Sequence, residues 1–295
     1  MEKRKLGKTG LEVTVLGFGG SEIGYRGVPQ DTVHRLINSA LDAGLNIIDT
    51  AECYPDSEEK IGQAVSRRRN EYFLFTKCGH NGDGKDWDPA TMTASVDRSL
   101  KRLRTDRLDL LQLHSCTEQQ LRQGDVVEVV QRARDAGKTR FIGYSGDGHA
   151  ALYAVQSGIF DTLQISISIA DQEAIDLVVP EAKKRGLGVI AKRPIANVIW
   201  KERSKPDPYY QPYWERFHRL DYDFLKRDMG RAVSTALRFT LAVDGVHTAI
   251  VGTTQPGRWR ENAELLNAGP LDAAEFQAIR ARWKDVASPD WVGQI

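Results

Sequence analysis

Short apolar runs rich in branched residues recur along this chain, each separated from the next by a segment of helical period. The runs fall at 13–16, 45–48, 72–76, 108–113, 140–144, 162–167, 188–191 and 248–251. Near-continuous apolar character, as in LDLLQL and GVIA, is what a strand covered on both faces shows. The intervening segments carry helix punctuation. Asp31 caps a helix that stops at Gly44, and Asp88-Pro89 is a cap followed by a first-turn proline. Asp125 opens a helix ending at Gly137, and Asp171 or Gln172 opens one ending at Gly186. Two more helices are expected at about 230–243 and 273–285.

Eight strands alternating with helices over about 270 residues predict a (β/α)8 TIM barrel in one domain spanning residues 1–295. The rival is a doubly wound open sheet, but no GxGxxG opens a helix after an early strand, and GFGG at 17–20 is a weak substitute. Residues 1–12, with Gly7 and Gly10 as turn points, read as an N-terminal hairpin. Residues 197–228 form a long, aromatic, proline-containing loop after the seventh strand; such a segment is usually functional or partly helical.

Charge excludes some functions. Lys plus Arg is 41 and Asp plus Glu is 40, so the basic excess of a nucleic-acid binder is missing. The densest basic run, Arg67, Arg68 and Arg69, sits at a helix end and reads as solvated. No stretch approaches the ~18 uncharged apolar residues of a membrane span, and the N-terminus has charges but no apolar signal core. Three cysteines in 295 residues suggest a reducing compartment rather than a disulfide framework. A soluble cytoplasmic protein is expected, with no nucleic-acid or membrane partner.

In a barrel of this kind, reactive groups stand at the carboxyl ends of the strands. The second strand, LNIID, ends on Asp49, with Tyr54 five residues on. The third, YFLFTK, ends on Lys77, and the fourth, LDLLQLH, ends on His114. Singly these could be a turn cap, a packing ring, a solvated charge and a core histidine. Together they place a proton donor on one rim. A lysine ammonium lowers the pKa of a nearby phenol, an aspartate keeps that lysine charged, and a histidine can hold a carbonyl oxygen. No side chain supplies hydride, so a cofactor must.

These residues resemble the aldo-keto reductase superfamily, over essentially the whole chain. Asp49 and Tyr54 in DTAECY, Lys77 in FTK and His114 in LQLH match the family's catalytic positions. The resemblance implies NADPH, with NADH the alternative, and a small carbonyl or alcohol substrate with Tyr54 as general acid/base. It also implies cofactor contacts. Ser145 in GYSG and Gln164 in TLQIS would hold the nicotinamide carboxamide, with Gly146 where the family has asparagine. Lys192 and Arg193 stand where an aromatic ring often stacks, and Gly252 stands where many relatives carry lysine. Gly252, Thr253 and Thr254 begin the loop expected at the adenosine end. There Arg258 would face a 2′-phosphate, and Glu261 and Asn262 the adenine. Trp87 and Trp200 are the substrate-pocket candidates.

Cys53, Cys78 and Cys116 lack metal-ligand spacing and read as core or rim thiols, so no metal is expected. Two other readings are a catalytically silent, nicotinamide-binding regulatory subunit on the same barrel and an unrelated barrel hydrolase or isomerase.

Overall fold

The computed structural model describes residues 1–80, 84–226 and 228–294. A short antiparallel pair, β1 (Lys3–Lys5) and β2 (Glu12–Thr14), precedes a closed barrel of parallel strands. The barrel strands are β3 (Leu16–Gly19), β4 (Ile47–Asp49), β5 (Phe73–Cys78), β6 (Leu108–His114), β7 (Thr139–Ser145), β8 (Thr162–Ser166), β9 (Gly188–Lys192) and β10 (Val246–Gly252). They pair in chain order, and β10 closes the ring between β9 and β3.

The bore changes character along its length, because side chains two residues apart on a strand share a face. Ile47, Phe75, Leu110, Ile190 and Ile250 form one buried cluster with Leu6, Leu11 and Val13 of the hairpin. The hairpin therefore plugs the amino-terminal mouth. The fit is close: Gly7 sits at φ 49°, and a Cβ there would lie 2.3 Å from the Gly188 amide nitrogen. Two residues further along the same strands come Asp49, Lys77, Gln112 and Lys192. An apolar floor thus gives way to a polar mouth at the strands' carboxyl ends.

The first expected strand, 13–16, is divided in two. Val13 and Thr14 belong to the hairpin, and the barrel strand begins at Leu16 and runs into the glycines. The apolar run VTVLGFG is continuous, so periodicity does not mark the break. GFGG is packing rather than phosphate binding: Cβ atoms on Gly17 and Gly19 would meet Ile250 at 2.6 and 2.9 Å.

Helices Ser57–Val65 and Gly148–Gln156 have no counterpart among the expected elements. The helix expected up to Gly186 is two pieces, Glu173–Leu177 and Val179–Lys184, with Pro180 in the first turn of the second. The long segment after β9 is partly helical, at Ala196–Lys201, Gln211–Leu220 and Asp223–Lys226. Its Tyr213, Phe217, Leu220 and Tyr222 form a second buried cluster with Phe239, Ile279, Trp283 and Trp291. No helix among the described residues is long and apolar enough to cross a membrane.

Candidate active site

Adjacent strands β4, β5 and β6 bring the four predicted residues together. Register places Asp49 opposite Phe75 and Lys77 opposite Gln112, so the aspartate and lysine project from neighbouring strands into the bore. Lys77 Nζ donates to Asp49 Oδ2 at 2.6 Å and to the Thr50 carbonyl at 2.8 Å, and both charged residues are buried. The same ammonium lies 5.2 Å from the Tyr54 ring centroid. Tyr54 and His114 meet edge to face, with centroids 5.7 Å apart.

The electrostatics decide the resting protonation states. Burial opposes charge on Lys77, but Asp49 and Tyr54 together outweigh it and raise its pKa, so it stays an ammonium. For Tyr54 burial is the largest influence and raises the phenol above its ordinary value, against the downward pull of Lys77. The lysine's contribution thus has the sign expected from the sequence, but desolvation wins. Tyr54 is therefore a protonated phenol held beside a cation. For His114, burial and then the cations Lys77 and Lys192 push the pKa well below the usual histidine value, which leaves a neutral imidazole. Cys53 Sγ lies 3.4 Å from its Nδ1, so the other ring nitrogen is the one available to an incoming oxygen.

Trp87 is close to this group. Its ring covers Gly79, where a Cβ would meet it at 2.3 Å, and it packs on His80, which in turn lies 5.5 Å from His114. Trp200 instead packs edge-on to Phe217 of the second cluster, with its buried Nε1 left without a hydrogen-bond partner.

The remaining predicted residues lie on the other side of the ring. Ser145, at the end of β7, and Gln164, in the middle of β8, are buried register partners. Lys192 Nζ pairs with Asp147 Oδ2 at 2.8 Å, and Arg193 donates to Ser166 Oγ, the Gln294 carbonyl and the Tyr209 hydroxyl. The chain's C-terminal tail thus lies against this sector, and a Cβ on Gly293 would meet Asp147 at 2.3 Å. Arg216 holds the tail from below: it pairs with Asp171 and donates to the Val292 carbonyl at 2.6 Å. Gly146 has no room for a side chain, because a Cβ would lie 2.5 Å from the Tyr144 hydroxyl, itself bonded to the Cys116 carbonyl.

Gly252, the last residue of β10, is exposed, and Thr253 and Thr254 beyond it are half-buried. The helix Arg258–Leu265 starts at Gly257 (φ 90°) with no side-chain cap, and an uncapped amino end offers free amides to an anion. Arg258 pairs with Glu261 at 2.7 Å on the surface, while Asn262 is buried.

Sequence reasoning missed Asp147, Gln112 and the contact of Cys53 with His114. Only Gln112 left a signal, a carboxamide inside the apolar run LDLLQLH.

Comparison with known proteins agrees with this architecture. The sequence model of the Aldo/keto reductase family matches residues 15–284. L-galactose dehydrogenase of Arabidopsis thaliana is 28% identical over 316 residues, covering 100% of this chain and 99% of that protein. The uncharacterised oxidoreductase YqkF of Bacillus subtilis is 28% identical over 306 residues, covering 96% and 97%. The holo form of aldo-keto reductase AKR11C1 from Bacillus halodurans superposes with a TM-score of 0.83 at 27% identity, covering 99% of each chain.

Proposed function

The chain belongs to the aldo/keto reductase family, and from that premise we propose that it moves a hydride between NAD(P)H and a carbonyl/alcohol pair, with Tyr54 as the general acid/base. The observation that carries this reading is the buried Lys77–Asp49 pair, 2.6 Å long, set beside the Tyr54 ring with His114 at its edge.

Hydride is what the cofactor supplies when bound; the chain's own groups do the rest. The neutral imidazole of His114 donates to the carbonyl oxygen, which orients and polarises it. As negative charge grows on that oxygen, Tyr54 gives up its phenolic proton to it. The adjacent Lys77 ammonium stabilises the tyrosinate left behind, and Asp49 holds the ammonium in place. Reprotonation of Tyr54 from water restores the resting state, and the reverse sequence oxidises an alcohol.

The donor set fits a nicotinamide dinucleotide. Ser145 and Gln164 are adjacent hydrogen-bonding side chains on β7 and β8, and the uncapped helix at Arg258 suits a phosphate. Lys192, Arg193, Gly252, Thr253, Thr254, Glu261 and Asn262 complete the proposed seat. Arg258, exposed at that helix end, favours NADPH over NADH. The substrate is proposed to be a small carbonyl or alcohol approaching past Trp87. The L-galactose dehydrogenase relative places aldoses in the panel to be tried.

The test is turnover of a panel of aldehydes, ketones, alcohols and aldoses with each cofactor. Cofactor-dependent conversion of any member supports the proposal. Tight NADPH binding with no turnover would favour the silent regulatory reading instead, and absence of nicotinamide binding an unrelated barrel enzyme.

A further inference from the structure

Gln112 lies in the polar layer of the bore, 0% exposed, on a strand whose neighbours in sequence are leucines. Its Nε2 is 3.4 Å from Asp49 Oδ1 and 3.4 Å from Gln164 Oε1. Its own amide oxygen is buried with no hydrogen-bond partner. An unpartnered buried carbonyl costs free energy, and a leucine or methionine would fill the space without that cost. Packing therefore does not explain a glutamine here.

The chemistry of its neighbours fixes which way the amide faces. Asp49 already accepts from Lys77 through Oδ2, and an ionised carboxylate can only accept. Gln112 must turn its NH2 group toward Oδ1, since the flipped amide would set three acceptor oxygens against one another. The same NH2 group then faces Gln164, which must answer with its oxygen. That leaves the NH2 group of Gln164 as the donor offered to anything bound beyond the bore. The run Lys77, Asp49, Gln112, Gln164 thus joins the proton-donating residues on β4–β6 to the residue proposed to hold the nicotinamide.

We propose that Gln112 is a positioning residue: it transmits the orientation imposed by Asp49 to the Gln164 amide, so that Gln164 presents a donor to the carboxamide oxygen of the cofactor. This rests on the role proposed for Gln164 in holding the nicotinamide, and the experiment separates the two.

Dissociation constants for NADPH and NADH are measured by fluorescence quenching, without turnover, in the wild type, Gln112→Met, Gln164→Met and the double variant. Gln112→Leu serves as a second probe should the methionine disturb folding. Each single substitution is expected to weaken binding roughly 3–10-fold, the range of one net hydrogen bond. The double variant should bind no more weakly than Gln164→Met alone, because Gln112 acts through Gln164. With saturating cofactor, kcat of Gln112→Met should fall by less than its binding does. Independent, multiplying effects would overturn the proposal, as would unchanged binding in Gln112→Met beside a weakened Gln164→Met. Unchanged binding in Gln164→Met would overturn the assignment of Gln164 and the proposal with it.

Discussion

On the β4–β6 side of the rim, Asp49, Tyr54, Lys77 and His114 touch one another, and their charge is balanced within the group. On the β7–β9 side, Lys192 and Arg193 are also charged and largely covered, but their partners come from elsewhere. Asp147 lies in the loop after β7, Tyr209 in the long segment, and Gln294 in the tail. The first sector is a finished chemical device whose parts come from consecutive strands. The second depends on the chain's far end being in place. The contrast teaches that the proposed chemistry rests on a compact stretch of strand ends. The setting for the rest of the ligand is assembled from long-range contacts.

The largest effect should come from breaking the self-contained sector. Lys77→Met leaves Asp49 buried without its cation and removes the proposed stabiliser of the tyrosinate. Turnover should fall more than ~10³-fold, and stability by about 3–5 kcal/mol, as for a broken buried pair. Steady-state kinetics and denaturant unfolding read the two separately, and turnover within tenfold of wild type would contradict the role given to Lys77. On the other sector, Arg258→Ala should weaken NADPH binding roughly tenfold while barely changing NADH, the worth of a charge-assisted contact. Equal losses for both cofactors would show that Arg258 does not read a 2′-phosphate.

Restoring the family's asparagine gives a smaller and less intuitive result. Gly146→Asn should destabilise by about 1–3 kcal/mol without improving cofactor affinity, because its Cβ would meet the buried Tyr144 hydroxyl. A variant as stable as wild type and tighter for the cofactor would mean the strand end is looser than the packing implies.

The smallest effect concerns pH. His114 has a lowered folded pKa, so the unfolded chain binds its proton first on acidification. Its contribution to stability is present above the ordinary histidine value of about 6.5 and is lost as pH falls below it. Unfolding free energies from pH 7.5 to 5 should therefore decline less steeply in His114→Asn than in wild type. Identical slopes would place a solvated imidazole of ordinary pKa at that position, and a steeper decline in the variant a charged one.

Much of the first sector is legible in the amino-acid sequence. The near-continuous apolar runs LNIID, YFLFTK and LDLLQLH mark, to within a residue, where each strand runs out, and the barrel supplies the common rim. Periodicity misplaces the hairpin boundary because VTVLGFG is apolar throughout, and nothing local separates Thr14 from Leu16. The second sector is only half legible. Ser145 ends β7 and Gln164 is its register partner within β8, at the positions singled out by their resemblance to the family. The clamp of Arg193 on Gln294, by contrast, spans 101 residues and has no period to betray it. Trp200, a pocket candidate by its place after β9, meets Phe217 of the helix Gln211–Leu220, which periodicity does not resolve.

The central claim is that the phenol of Tyr54 is the proton donor of the tetrad. The direct measurement is Tyr54→Phe, assayed with the best carbonyl substrate under saturating cofactor, alongside cofactor binding by fluorescence. Turnover should drop by about 10²–10⁴-fold, the usual worth of a positioned general acid, with the cofactor dissociation constant essentially unchanged. A variant that retains full turnover would contradict the account.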